Sequence, residues 1–309
     1  MPPWPRCDRN NSVSGPQRVV SLQAGLAVCE TLAASLAVVD TGLRDRTVVV
    51  TGGTANIGKG IALAFAAEAC KVVIVGRDEI QGERVLNQLL EAGAIAAFWQ
   101  AGDVTDRTQV DRMVAAVQQK FGSIDVLVNN VGGNVDMDDF VDSAPETWEK
   151  DIALNITSTL NCTQSVLPVM IEKASGRIVN IGSTAGLIGD PKLAVYSAMK
   201  GAVHSFTRVL AKEVGKKGIT VNAVAPYGTI PEDPESDVSS GSRFHPDGLI
   251  YRLMATRPEE MSSIGRHTLL ERQTAFPSEI GAAAVYFASD AAAFVTGQVL
   301  AVDGGTQLA

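Results

Sequence analysis

T-V-V-V-T-G-G-T-A-N-I-G-K-G, Thr47 to Gly60, is the stretch on which the fold turns. Thr47–Val50 is a β-branched run, which reads as a buried strand. From Ile57 to Cys70 the apolar residues fall at helical spacing. A glycine-rich turn lies between them. A strand, such a turn and a helix N-terminus make a ready anion site, because backbone N–H groups and the helix dipole favour negative charge and small residues let a pyrophosphate approach. Gly52, Thr54, Asn56, Ile57 and Gly58 are the candidate contacts. A glycine cluster by itself also marks ordinary turns. Its position between first strand and first helix gives it weight.

Working outward, the alternation continues. Strands are expected at Lys71–Val75, Ile95–Gln100, Ile124–Asn129, Arg177–Ile181, Thr220–Ala225 and Val299–Val302. Helices are expected at Asp78–Ala92, Asp106–Phe121, Pro145–Lys173, Ala194–Lys216 and Pro277–Ala288. That order predicts an α/β fold, a doubly wound parallel sheet of about seven strands with helices on both faces. One domain is expected over residues 43–309. Within it the stretch at about 228–275, rich in Pro, Ser, Gly and charge, is too long for a plain connection and reads as a lid over a site. Residues 1–42 carry no chemistry and read as an N-terminal extension: a disordered tail, a weak targeting segment, or an untranslated stretch upstream of a start near Val39.

Of the 309 residues, 46% are hydrophobic and 19% charged, and the net charge is −8, which argues against binding nucleic acid through a general positive field. Cys7, Cys29, Cys70 and Cys162 form no C-x-x-C pair, and His204, His245 and His267 form no ligand cluster, so no metal is expected. The cysteines read as reduced thiols of a cytoplasmic protein. No uncharged apolar run is long enough to span a membrane; the nearest, Ala24–Val39, is broken by Glu30.

The end of the second strand reports on the dinucleotide. A carboxylate there would take the ribose hydroxyls and favour NAD(H). The sequence has Gly76 at that point, followed by Arg77, whose guanidinium suits a 2′-phosphate. NADP(H) is therefore favoured and NAD(H) kept possible, since Arg77 could merely close a loop while Asp78 caps the next helix. Asp103-Val104, after the third strand, is placed for the adenine edge. Asn129-Asn130-Val131-Gly132-Gly133 ends the fourth; its Asn side chains can tie strand ends together and its glycines leave room for a ribose.

Tyr196-Ser-Ala-Met-Lys200 is the sharpest chemical signal. Residues at i and i+4 share one helix face. A phenol titrates near ~10, and a neighbouring ammonium favours the phenolate, as an acid/base at neutral pH requires. Ser183, just past a strand end, could hold a substrate oxygen, and Asn155 could position a water next to Lys200. Each residue alone has an ordinary explanation. The order of glycine loop, N-N-x-G, Asn, Ser and Tyr-x-x-x-Lys does not.

With V-N-A-V-A-P at Val221–Pro226 and the ending F-V-T-G-Q-V-L-A-V-D-G-G, the chain resembles the short-chain dehydrogenase/reductases of the compact single-domain branch, from about Leu43 onward. The resemblance implies a Rossmann-type sheet, a catalytic tetrad at Asn155, Ser183, Tyr196 and Lys200, and a homotetramer. It implies hydride transfer between a nicotinamide and a secondary alcohol or ketone, with Tyr196 as general acid/base. Tyr196, Lys200, Asn130, Gly132, Pro226, Gly228 and Thr229 would also meet the cofactor. The chain departs from the family pattern at Asn56, which replaces a glycine; at Val131, which replaces a small Ala; and at Tyr227, inserted between Pro226 and Gly228. The partner is then a small alcohol or ketone. In the lid, Arg243 or Arg252 could bind a substrate carboxylate, or both could be solvated loop charges, while Asp136, Asp138 and Asp139 argue against a nearby anion. No substrate follows. A dinucleotide-binding sensor or scaffold without turnover is the alternative function. A sugar-nucleotide epimerase would need a larger C-terminal region.

Overall fold

The computed structural model describes residues 40–231, 233, 237, 238, 242–259 and 265–308; the expected N-terminal extension lies outside them up to residue 39. Seven strands form one sheet in the order β3-β2-β1-β4-β5-β6-β7: β1 Thr47–Thr51, β2 Lys71–Gly76, β3 Ala96–Ala101, β4 Val126–Asn129, β5 Gly176–Ile181, β6 Ile219–Pro226 and β7 Val299–Val302. All pairs are parallel, with Thr51 opposite Val75 and Asn129 opposite Asn180.

Helices cover both faces because successive strand residues point opposite ways. Val48, Val50, Val72 and Ile74 pack on α1 (Asn56–Ala67), α2 (Glu79–Glu91) and the later helix Pro277–Ala288. Val49, Val73 and Leu127 pack on α3 (Arg107–Phe121) and on the helices Ser158–Lys173 and Ala194–Val214. The valine-rich strands are buried from both sides. This is why they read as continuous apolar runs.

The expected helix Pro145–Lys173 is divided. α4 (Pro145–Ile152) passes through a π turn at Ala153–Thr157 into α5 (Ser158–Lys173). A short α6 (Ala185–Ile188) precedes α7 (Ala194–Val214), whose buried stripe is Tyr196, Lys200, Val203, His204 and Thr207. α7 stops at Val214 and gives way to a 3₁₀ turn at Gly215–Lys217, short of the expected end. The lid is not wholly irregular: it contains α8 (Leu249–Thr256). α9 is Pro277–Ala288. No helix among the described residues is long and apolar enough to cross a membrane.

Candidate active site

The strand order reverses between β1 and β4, and ligands of open parallel sheets sit beyond the carboxyl ends at such a point. A cleft of about 980 Å³ opens there. It is lined by Gly52, Thr54, Asn56, Ile57 and Gly58 after β1, by Arg77 after β2, and by Asp103 and Val104 after β3. Asn130, Gly132, Ser183, Tyr196, Lys200, Pro226, Gly228 and Thr229 complete it. Of the candidate catalytic and cofactor-binding residues, only Asn155 is not on its wall. It is 0% exposed, behind the loop after β4.

The turn after β1 is held tightly. Gly52 and Gly53 donate N–H bonds to Val75 O at 2.8 and 3.3 Å. Asn56 takes φ +41°, the left-handed backbone that Asn tolerates better than other side chains. A Cβ on Gly58 would lie 2.0 Å from Gly52 O, so only glycine fits where the turn folds back on its helix. The N-cap Ala55 offers no side-chain acceptor to the first turn of α1. Asn56 Oδ1 is buried without a hydrogen-bond partner among the described residues. The glycine-rich turn and a helix start without a side-chain cap fit a cofactor pyrophosphate.

At the next strand end, the Arg77 side chain is 68% exposed and stands 3.7 Å from an Asp103 oxygen. Asp78 caps α2, accepting from Gln81 N at 3.1 Å. The other Asp103 oxygen is occupied by Thr105, from its N–H at 2.9 Å and its hydroxyl at 2.7 Å. Asp106 caps α3.

Asparagines tie the strand ends. Asn130 Nδ2 donates to Thr51 O at 2.9 Å, and Asn130 N–H to Thr51 Oγ1 at 2.9 Å, clamping β4 to β1. Asn129 Nδ2 reaches Asn180 Oδ1, and Asn180 Nδ2 reaches Thr207 Oγ1, both at 2.9 Å. This run connects β4 through β5 to α7, the helix that carries Tyr196. Asn155 grips the next loop from behind: its Oδ1 accepts from Gly133 N at 3.0 Å and its Nδ2 donates to Gly133 O at 2.7 Å. Asn155 sits at the middle of the π turn Ala153–Thr157, and such turns are common at functional positions. A Cβ on Gly132 would come within 2.7 Å of Lys200 Nζ and 2.8 Å of Asn155 Oδ1.

Lys200 Nζ donates to Ile181 O at 2.9 Å and lies 5.8 Å from the centre of the Tyr196 ring. Burial, then the nearby Arg243, brings the Lys200 ammonium down to about 7. Ser183 Oγ accepts from Ala185 N at 3.1 Å, which orients it at the start of α6. His204 is buried inside the chain against Gly182. Burial, then Lys200, drives its imidazole down to about 4. Burial likewise pushes the Cys70 and Cys162 thiols up to about 12.

The lid is pinned at its stems, where Ala275 N donates to Gly228 O at 2.9 Å and Ile230 N to Ala275 O at 3.1 Å. Leu249 and Leu253 of α8 pack it down on Met137. Phe244, Ile250 and Met254 line the cleft, as does Tyr227, whose hydroxyl accepts from Arg266 N at 2.7 Å. Thr229 Oγ1 donates to Tyr227 O at 2.8 Å. Lys59 of α1 pairs with Asp237 of the lid. Arg252 is exposed, whereas Arg243 lines the cleft. Two residues that the motifs did not flag organise this side. Buried Asn134 accepts from Arg243, and buried Asp151 accepts from Val135 N at 2.9 Å. Burial, opposed by that bond, raises the Asp151 carboxyl. Among the described residues no group of three or more His, Cys, Asp or Glu could hold a metal ion.

Comparison with known proteins agrees with this geometry. Residues 46–235 match the family model described as short chain dehydrogenase, and residues 247–307 one described as Enoyl-(Acyl carrier protein) reductase. The chain is 36% identical over 267 residues to 2-(S)-hydroxypropyl-CoM dehydrogenase 3 of Xanthobacter autotrophicus, covering 85% of this chain and 97% of that protein. It is 35% identical to a 3-oxoacyl-[acyl-carrier-protein] reductase of Synechocystis, covering 86% and 98%. A solved short-chain type dehydrogenase/reductase from Mycobacterium ulcerans superposes with a TM-score of 0.74 at 28% identity, covering 86% of this chain and 91% of that one.

Proposed function

We propose, from the premise that this chain belongs to the short-chain dehydrogenase/reductase family, that Tyr196 is the general acid/base of a reaction between a secondary alcohol and its ketone. The family membership makes the chain a dehydrogenase/reductase acting on CH-OH/C=O groups with NAD or NADP. Two of its relatives are named for a hydroxypropyl and a 3-oxoacyl group, each carrying such a carbon. The observation that carries the assignment is the Tyr196–Lys200 pair on one face of α7, with Ser183 on the same cleft wall.

When bound, the nicotinamide supplies or accepts the hydride. The protein's part is to hold and to move a proton. In reduction, Ser183 Oγ donates to the carbonyl oxygen and Tyr196 gives that oxygen its proton; in oxidation Tyr196 takes it back. A Lys200 ammonium beside Tyr196 stabilises the phenolate left behind. Asn155 acts at one remove, holding the Gly132–Gly133 backbone against Lys200. It is a positioning residue. The turn Gly52–Gly58, Asp103, Val104, Asn130 and the Pro226–Thr229 segment would hold the dinucleotide.

NADP(H) is the cofactor we favour. What supports it is the lack of any side chain at Gly76, the use of Asp78 as a helix cap, and the exposed Arg77 guanidinium. Exposed Leu160 on α5 and Val209 on α7 suit packing between copies, so a homotetramer is part of the reading. So is a cytoplasmic location, which suits the buried thiols of Cys70 and Cys162.

Fluorescence titration of NADPH and NADH into the wild type and Arg77→Gln tests the cofactor assignment. We expect NADPH to bind roughly tenfold tighter, a gap that corresponds to about 1.4 kcal/mol, and the gap to close in the variant. Equal or tighter NADH binding by the wild type would remove Arg77 from the site.

A further inference from the structure

We propose that Arg243 receives an acidic group of the substrate, a carboxylate or sulfonate a few bonds from the reacting carbon, so that this enzyme works on an anionic alcohol or ketone. The proposal rests on the oxidoreductase reading above.

Three other cations around the lid are paired with carboxylates. Arg257 pairs with Asp138 at 2.7 Å, Lys192 with Asp139 at 3.0 Å, and Arg266 with Asp190 at 2.8 Å. Those contacts also consume most of the acidic residues that argued against an anion here. Arg243 is different. Its hydrogen bond goes to a neutral amide, Asn134 Oδ1, and its guanidinium lies over the Phe244 ring at 4.9 Å and the Tyr196 ring at 6.0 Å. Among the described residues no carboxylate stands within ion-pair distance of it.

Asn134 is itself fixed. It is buried, and its Nδ2 donates to Asp136 O at 2.9 Å, so its oxygen is turned to the arginine. The bracket holds the guanidinium without cancelling its charge. Two acids remain nearby. Asp136 accepts from Met137 N at 2.8 Å, and Asp151 accepts from Val135 N while burial pushes it toward its neutral form. An arginine offers five N–H donors in a planar fork that matches an acid group, and most of these remain available on the cleft wall beside Tyr196. The charge also acts on the chemistry. Arg243 helps to push Lys200 down to about 7, and an acid group seated on it would offset that field and keep Lys200 an ammonium when substrate is present.

The test uses matched ketones, acetoacetate and 2-oxopropanesulfonate against methyl acetoacetate, with the preferred reduced cofactor. The wild type is expected to favour the acids in kcat/KM, and Arg243→Gln to reduce the acid-to-ester ratio by on the order of thirtyfold, chiefly through KM. Arg243→Lys should restore part of it. Which acid is preferred decides between carboxylate and sulfonate. A ratio that Arg243→Gln leaves within threefold overturns the proposal, as does an equal loss of NADPH affinity in that variant, which would assign Arg243 to the cofactor. A second readout needs no turnover: butanoate and propanesulfonate should raise the melting midpoint of the wild type by about 2 °C or more but not that of Arg243→Gln. Equal shifts in both would overturn the anion site. If no ketone is reduced while the anions still discriminate the two proteins, the oxidoreductase reading fails and the anion site stands.

Discussion

The half of the cleft proposed for the cofactor and the lid half are held by different means. On the side proposed for the cofactor, Asn130 clamps β4 to β1, Asn129 and Asn180 link the next two strand ends, and β1 and β4 beneath are buried along their whole length. On the lid side, α8 rests on Met137 through Leu249 and Leu253, a cluster of three buried residues, with backbone bonds at the stems and ion pairs beside it. A part that binds the same dinucleotide in every turnover can be rigid. A part that admits and releases a substrate is drawn from the less stable end of the molecule.

That contrast can be broken or sharpened by substitution. The largest effect is expected at the junction of the halves. Tyr196→Phe should lower kcat by about 10²–10⁴-fold while cofactor titrations stay near wild type. Loss of cofactor binding alongside would make Tyr196 structural. In the rigid half, Ile61→Ala empties a fully buried site under β1 and should cost about 2–5 kcal/mol in urea unfolding. A smaller effect follows from Lys200. Between its folded value of about 7 and the usual 10.5, the unfolded chain holds a proton that the folded chain has released, so the cofactor-free protein gains stability as pH rises through that window. Unfolding free energies from denaturant curves should be roughly 2–3 kcal/mol larger at pH 9 than at pH 6, and Lys200→Met should flatten the difference. The smallest change in stability is expected in the lid. Leu253→Ala should cost under about 1 kcal/mol globally yet raise KM several-fold. A global loss as large as that of Ile61→Ala would show that lid and sheet unfold as one unit.

The same contrast explains what could be read without coordinates. The sheet was legible because strand burial is written as β-branched runs, and the glycine-rich turn because its glycines fall between strand and helix. The α8 helix was not read, although Leu249, Ile250, Leu253 and Met254 lie at helical spacing. Pro246 and Gly248 just before it, and the charges around it, hide eight residues inside a loop-like composition. Nothing in the composition of Ala153–Thr157 marks a π turn. The turn follows from fitting Asn155 to the Gly133 backbone, a tertiary requirement. Arg243 and Arg252 look alike in sequence. Only the chain path sends one into the cleft and the other to solvent, and only the backbone of Asp136 fixes the Asn134 amide that separates their roles.

Deuterium transfer tests the central assignment most directly. Wild-type protein is incubated with NADPH deuterated at the nicotinamide C4 and with a panel of ketones, and the products are read by mass spectrometry. The account predicts one deuterium on the carbinol carbon of at least one product, and none above background with Tyr196→Phe. Tight cofactor binding with no deuterium in any product across the panel would contradict it and leave a protein that binds a dinucleotide without turning it over.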